Sequence, residues 1–359
     1  MRTLNDIKTI VYNKAYTNER ITASFLALTG KEKIAYADEE ELSGILTELK
    51  NTGVVSKEVI VLKRFQGRLF QRCPGSKGMI CCNYSLLNTC FGCLYDCAYC
   101  FLNSYINFYG IVQFTHIDDL DVDIPSGDTG IIYRVGTGEF TDSLMMDEAT
   151  GIAPMLIDKL ADRRDIMLEL KTKSANIDHL LGIPKRGNTV LAWSLNTDHA
   201  AALYEAGGAT LEARLAAARK ALDAGYFLAF HFDPIIRYEG AVAEYESLVH
   251  RLFSVIDPNR VVWISLGCFR CPVGFQDSMN LTTQEMFPGL DGKMRYLRNF
   301  RLDIYRRMNK IIASYSHKPF VYLCMESADM WSDVFDADYS NSDELELAMS
   351  LHLKKEFLL

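Results

Sequence analysis

From about residue 88 to residue 325, short apolar runs alternate with segments whose apolar residues recur at helical spacing. The runs at 130–135, 166–170, 189–193, 227–232, 260–265 and 320–324 are short, bounded by polar or glycine residues, and read as strands. Between them, 153–162, 211–224, 241–256 and 296–314 carry apolar residues every three or four positions and read as amphipathic helices. Strand–helix alternation of this kind predicts a parallel sheet with crossover helices. Some six units predict an α/β fold, a partial (β/α)6 barrel, although an open doubly wound sheet would show the same alternation. In either case chemistry is expected where the strands end.

The flanks read differently. Residues 1–84 form an N-terminal extension, with a helix expected over 38–49 and a strand over 59–62, and they turn cysteine-rich at Cys73-Pro-Gly and Cys81-Cys82. The barrel is expected over 85–330, and 331–359 reads as an acidic helix or tail. With 38 basic and 46 acidic side chains the net charge is −8, which offers no global attraction to nucleic acid or an anionic membrane. No apolar run approaches the roughly 20 residues of a membrane helix, and the N-terminus lacks a signal-peptide core, so a cytoplasmic protein without a membrane partner is expected. In that compartment ten cysteines point to metal or catalysis rather than disulfides.

The densest chemical signal is Cys90-Phe-Gly-Cys93-Leu-Tyr-Asp-Cys97-Ala-Tyr-Cys100. Cys93, Cys97 and Cys100, spaced C-x3-C-x2-C on one loop, can ligate three irons of a [4Fe-4S] cubane. The fourth iron is then open to the amino and carboxylate groups of S-adenosylmethionine, whose reductive cleavage yields a 5′-deoxyadenosyl radical. Recruitment of Cys90 would instead close a four-sulfur zinc or ferredoxin-like site, giving a non-catalytic metalloprotein. Tyr99 and Phe101 flank Cys100 and could cover the cluster or simply pack.

The stretch resembles the spore photoproduct lyase family of radical S-adenosylmethionine enzymes. The likeness continues through Thr172-Lys173, Asp178-His179-Leu180-Leu181, Ser194-Leu195-Asn196, the segment from Glu205 to Arg214, Ala224-Gly225-Tyr226 and Pro234-Ile235. It implies a radical lyase acting on C–C bonds, with a [4Fe-4S] cluster and S-adenosylmethionine as cofactors. It places Gly136, Gly138 and Glu139 near the methionyl amine, Thr141 at a polar contact, Lys173 at the carboxylate, and Ser194 and Asn196 at the ribose. Two departures stand out. Where the family's lyases carry a hydrogen-donating cysteine this chain aligns Glu139 (or, shifted by one, Phe140), and Phe101 stands where they have tyrosine. Tyr99, Glu139, Cys268 and Cys271 are therefore the candidates for catalytic roles, the last two as substitute hydrogen donors, a redox pair or ligands of a second cluster with Cys73, Cys81 or Cys82.

The departures and the acidic balance tilt the expected substrate toward a ribosomal precursor peptide, with tyramine excision as the reaction and a small helper protein as a partner. A pyrimidine photoproduct in damaged DNA is the alternative. Either chemistry needs an external electron donor such as flavodoxin or ferredoxin. His231 and Asp233 end a strand and suit either a pocket or a structural hydrogen bond. The basic stretch Lys293 to Lys310 has apolar residues at helical spacing, so most of its cations are expected on a solvated helix face, with phosphate binding the lesser reading.

Overall fold

A computed structural model describes residues 1–119, 130–275 and 285–358. Its main sheet has eight strands in the order Phe320–Leu323, Val261–Cys268, Phe227–Ile235, Thr189–Ser194, Ile166–Thr172, Tyr133–Gly136, Ser85–Leu87 and Phe70–Arg72. All neighbours are parallel except the last pair, where Phe70–Arg72 runs antiparallel at the edge. All eight residues of Val261–Cys268 and all six of Thr189–Ser194 are buried. That is why these strands read as continuous apolar runs: helices cover one face and the curled interior covers the other. The result is a partial barrel, with the six expected strands present and two more, Ser85–Leu87 just before the cysteine loop and Phe70–Arg72 at the edge.

Register explains the interior. Ser194 lies beside His231, and His231 beside Ser265. Inside, His231 Nε2 meets Glu169 Oε1 at 2.6 Å, and Trp263 Nε1 donates to the same oxygen at 2.9 Å. His231 thus makes a structural hydrogen bond. Above this layer the Arg134 guanidinium lies against the rings of Tyr84, Trp263 and Tyr322. A Cβ on Gly136 would fall 1.4 Å from the Tyr84 hydroxyl, so only glycine lets the strand end pass this ring.

The division expected at residue 85 is not followed by the sheets. Phe70–Arg72 belongs to the barrel sheet, whereas Ile111–Phe114 and Cys90–Phe91 join a second sheet with Glu32–Tyr36, Thr9–Asn13 and Val59–Lys63. In that sheet the helix Glu39–Asn51 buries Leu42, Leu46 and Leu49 against Val11, Val59 and Val61. Asp38 caps it by accepting from the Glu41 amide at 2.9 Å. The cluster loop is therefore seated between two sheets.

At the other end, the helix Ser342–Glu356 docks instead of trailing, burying Leu345, Met349 and Leu353. Ser350 Oγ accepts from the Ile132 amide at 3.0 Å, and Ser342 Oγ from the Cys81 amide at 2.9 Å. Leu359, the last residue of the expected tail, lies outside the described residues. The basic stretch forms the strand Lys293–Tyr296 and the helix Arg298–Tyr315, and its arginines are paired. Arg295 meets Asp291 at 2.7 Å, Arg301 meets Glu326, and Arg307 meets Asp303 at 3.0 Å. These pairs neutralise the face that the phosphate reading needs.

Candidate functional site

Cys93, Cys97 and Cys100 lie on one loop at the C-terminal ends of the barrel strands. Gly92 turns the chain into it at φ +103°, its amide donating to the Phe140 carbonyl at 3.0 Å. Asp96 and Cys97 then pair antiparallel with Ala206 and Glu205, and the Ala98 amide donates to the Tyr204 carbonyl at 2.8 Å. Lys57, from the N-terminal sheet, closes the other side. Its ammonium donates to the Cys93 carbonyl at 3.0 Å, reaches the Tyr95 carbonyl, and pairs with Asp96 at 3.0 Å. Arg2 adds a second cation, donating to the Leu94 carbonyl at 3.2 Å and pairing with Asp96 at 2.7 Å.

Cys97 is buried while Cys93 and Cys100 are half-buried, and none of them is in a disulfide. Burial raises all three thiols, Cys97 to about 12, and Asp142 raises Cys93 further. Lys173 opposes the rise at Cys97 and Cys100, and Lys57 does so at Cys93 and Cys100. Cations are thus in place to offset thiolate charge. Among the described residues no three His, Cys, Asp or Glu side chains close on a point as they would around a single ion. Three thiols that each hold a different iron of a cubane stand farther apart, and one loop of three suits that group. Cys90 is not with them. It sits in the second sheet opposite Gln113, its thiol raised to about 12 by burial, with Thr141 as its hydrogen-bonding neighbour.

Beneath the loop lies a buried ion pair, Arg214 to Glu205 at 2.6 Å. Tyr99 donates its hydroxyl to Glu205, and Lys173 Nζ stands 5.7 Å from the Tyr99 ring centre. Burial pushes the Glu205 carboxyl up, but Lys173, Arg214 and Tyr99 outweigh it and hold it below the usual range. Arg214 also donates to the Ser194 carbonyl at 2.9 Å. The order of these residues was legible in the chain, but their joint task was not.

The strand-end turn 136–142 forms the facing wall. A Cβ on Gly138 would meet the Lys171 carbonyl at 3.0 Å, so the turn lies flat on its neighbour. Glu139 acts electrostatically on Cys100, on Lys171 and on Cys73. Asp142, which the sequence reading left without a role, accepts from Thr172 Oγ1 and from the Lys173 amide, both at 2.6 Å. It locks the backbone that carries Lys173. Phe101 packs edge-on against Tyr105 and Phe140, with centroids at 5.6 and 6.1 Å.

Four expected site residues are placed otherwise than the sequence suggested. The Asn196 side chain is 1% exposed and donates to Glu205 and Pro234, while its oxygen accepts from Tyr245 and the Thr197 amide. No hydrogen-bonding capacity is left for a ribose. Thr141 is buried beside Cys90, with its hydroxyl toward the Met145 sulfur at 3.9 Å. Cys268 and Cys271 are 3% and 2% exposed. Cys268 is raised to about 12 by burial, its thiol bonded to Tyr305, which in turn donates to Glu326. Cys271 lies in the short strand Arg270–Pro272, paired with Met294.

The fold is a partial barrel of the radical S-adenosylmethionine type. The spore photoproduct lyase family model matches residues 76–266, and the chain belongs to that family. A spore photoproduct lyase of Geobacillus sp. is 28% identical over 170 residues, 45% of this chain and 48% of that one. That of Clostridium acetobutylicum is 27% identical over 187 residues, 51% of this chain and 54% of that one. The chain thus spans about half the length of the curated relatives it matches. A solved cysteine-to-alanine variant of spore photoproduct lyase superposes with TM-score 0.75 at 20% identity, covering 88% of this chain and 98% of that one. A second solved variant, carrying AdoMet and a dinucleoside spore photoproduct, gives 0.73 at 20% identity over 89% and 99%. No helix among the described residues is long and apolar enough to cross a membrane.

Proposed function

We propose that this protein is a radical lyase in which Cys93, Cys97 and Cys100 hold a [4Fe-4S] cluster that binds S-adenosylmethionine at its open iron. When bound, the pair supplies a 5′-deoxyadenosyl radical. The observation that carries this reading is that three thiols on one strand-end loop are flanked by two cations, Lys57 bonded to the Cys93 carbonyl at 3.0 Å and Lys173 standing 5.7 Å from the Tyr99 ring centre. Lys173 suits the methionyl carboxylate and Glu139 its ammonium. Gly136 and Gly138 keep the strand-end turn close against Tyr84 and Lys171, and Ser194, at its strand end, suits the ribose. Glu205, Arg214 and Asp142 position this set; they are not required to touch the cosubstrate. Tyr99 and Phe101 exclude water from the loop's two sides.

For the substrate we favour a ribosomal precursor peptide. The paired arginines of the helix Arg298–Tyr315 leave little free positive face for a phosphate backbone, and Glu139 occupies the aligned position of the family's thiol donor. A second reading, a pyrimidine photoproduct in DNA, is supported by solved relatives whose bound ligand is a dinucleoside spore photoproduct. Anaerobically reconstituted protein, reduced and supplied with AdoMet, should release 5′-deoxyadenosine. Incubation with a dinucleotide photoproduct and with tyrosine-containing precursor peptides should give peptide cleavage and no lesion repair. Repair of the lesion would reverse the preference between substrates, and absence of 5′-deoxyadenosine would remove the proposal altogether.

A further inference from the structure

Three successive carbonyls of the cluster loop meet cations to which the proposed chemistry gives no part. Lys57 Nζ donates to the Cys93 carbonyl at 3.0 Å and to the Tyr95 carbonyl, and Arg2 Nη1 donates to the Leu94 carbonyl at 3.2 Å. The Leu94–Tyr95 peptide has a partner at its other end as well. Its N–H, carried by Tyr95, donates to Cys93 Sγ at 3.4 Å. One peptide group therefore has a guanidinium on its oxygen and a candidate cluster sulfur on its hydrogen.

Both cations are anchored by the fold. The Arg2 amide donates to the Gly207 carbonyl at 2.7 Å, and a Cβ on Gly207, at φ +86°, would fall 3.3 Å from the Arg2 side chain. Gly207 directly follows Glu205 and Ala206, which pair with Cys97 and Asp96. Lys57 stands in the short helix Ser56–Glu58, where Ser56 Oγ accepts from the Gly110 amide at 2.9 Å. Asp96 lies between the two, 2.7 Å from Arg2 and 3.0 Å from Lys57. Two cations against one carboxylate leave this side of the loop positive. The Lys57 side chain is 25% exposed and that of Asp96 42%, so water screens the cation less than the anion.

The potential of an iron–sulfur cluster depends on nearby charge and on hydrogen bonds to its sulfurs. The reduced form holds one more electron, so positive charge and N–H···S bonds both favour it. A cation on a carbonyl oxygen polarises the peptide and strengthens the bond that its N–H makes. We propose that Lys57 and Arg2 are positioning residues that raise the reduction potential of the loop cluster, acting on its sulfur through the peptides of residues 93–96. This rests on the cluster proposed at Cys93, Cys97 and Cys100 and assigns the residues that set its potential. One electron from an external reductant enters the cluster more readily, and neither side chain gains or loses a proton.

The test is a redox titration of the anaerobically reconstituted protein, followed by electron paramagnetic resonance of the reduced cubane. Lys57→Met should keep about four irons. Its reduction should be roughly tenfold less favourable than in the wild type, a negative shift of about 59 mV for one electron. Arg2→Met should shift the midpoint in the same direction, and Lys57→Arg should titrate as the wild type does. Asp96→Asn removes the opposing charge and should shift the midpoint positive. A loop that had merely loosened would move Lys57→Met and Asp96→Asn the same way. Midpoints equal to the wild type in both, or displaced in one direction in both, would overturn the inference. So would loss of iron from Lys57→Met and Arg2→Met, which would make the cations struts of the loop. Wild-type protein that binds no cluster would remove the proposed function itself, whereas a wild-type cluster with unmoved variants removes this inference alone.

Discussion

Two groups of thiols in this chain are placed by the fold in opposite ways. Cys93, Cys97 and Cys100 come from eight consecutive residues, and the rest of the chain is brought to them: Lys57 from the N-terminal sheet, Glu205 and Arg214 from the fourth strand–helix unit. Cys73, Cys81 and Cys82 lie between Phe70–Arg72 and Ser85–Leu87, and Cys324 follows Phe320–Leu323, so this set comes from both edges of the sheet. The first group is local in sequence, so its support governs charge and orientation. In the second, Cys324 meets Arg270 only when Phe320–Leu323 has paired with Val261–Cys268. One is a motif, the other a consequence of topology.

The sharpest way to break this contrast is at the loop. Cys93→Ala, Cys97→Ala or Cys100→Ala should each reduce 5′-deoxyadenosine formation to background in a chromatographic assay, because a cubane short of a ligand is not held in place. Next in size is the support beneath it. Glu205→Gln would leave the Arg214 charge buried without its partner, and should destabilise the protein by about 3–5 kcal/mol in denaturant unfolding. An unchanged midpoint would show that the pair is not structural.

These two effects also mark how far the chain could be read. The strand runs were legible because parallel strands buried on both faces leave no polar alternation, and C-x3-C-x2-C was legible because its ligands are local. Ser85–Leu87 was missed as a strand because three residues carry no period. Lys57 could not be found, since nothing about a lysine 36 residues before Cys93 marks it as a clamp. Asn196 was misread for a related reason: a short polar residue at a strand end suits a ligand or a buried network equally, and only Tyr245 and Pro234 decide between them. Cys324 ends the apolar run 320–324, and only the fold brings to it Arg270, which donates to its sulfur at 3.2 Å.

A smaller perturbation separates cosubstrate binding from cluster assembly. Lys173→Met should raise the KM for AdoMet about 10- to 100-fold, the effect of losing one charge-assisted hydrogen bond, while leaving the iron content unchanged. Iron lost along with affinity would place Lys173 in the support of the loop instead. Acid should act on the layer below both thiol groups. Burial pushes the Glu169 carboxyl up, but the His231 charge and hydrogen bond outweigh it and hold it at about 2. A carboxylate depressed in the folded state contributes stability above its unfolded value and loses it as the pH falls through its folded value. Thermal stability should therefore drop between roughly pH 5 and pH 2, and Glu169→Gln should flatten that drop. The smallest effect is expected at the basic helix, where Arg306 and Arg307 are already paired with Asp333, Asp303 and Glu246. Replacing both with alanine should leave turnover on the precursor peptide unchanged, and a clear loss would revive the phosphate reading.

The account rests most on an open iron at the cluster loop that grips AdoMet. Electron paramagnetic resonance of the reduced, anaerobically reconstituted protein, recorded with and without AdoMet, addresses that directly. A cubane signal whose g-values change on adding AdoMet, accompanied by 5′-deoxyadenosine, is the predicted result. A signal indifferent to AdoMet, with no nucleoside released, would contradict it.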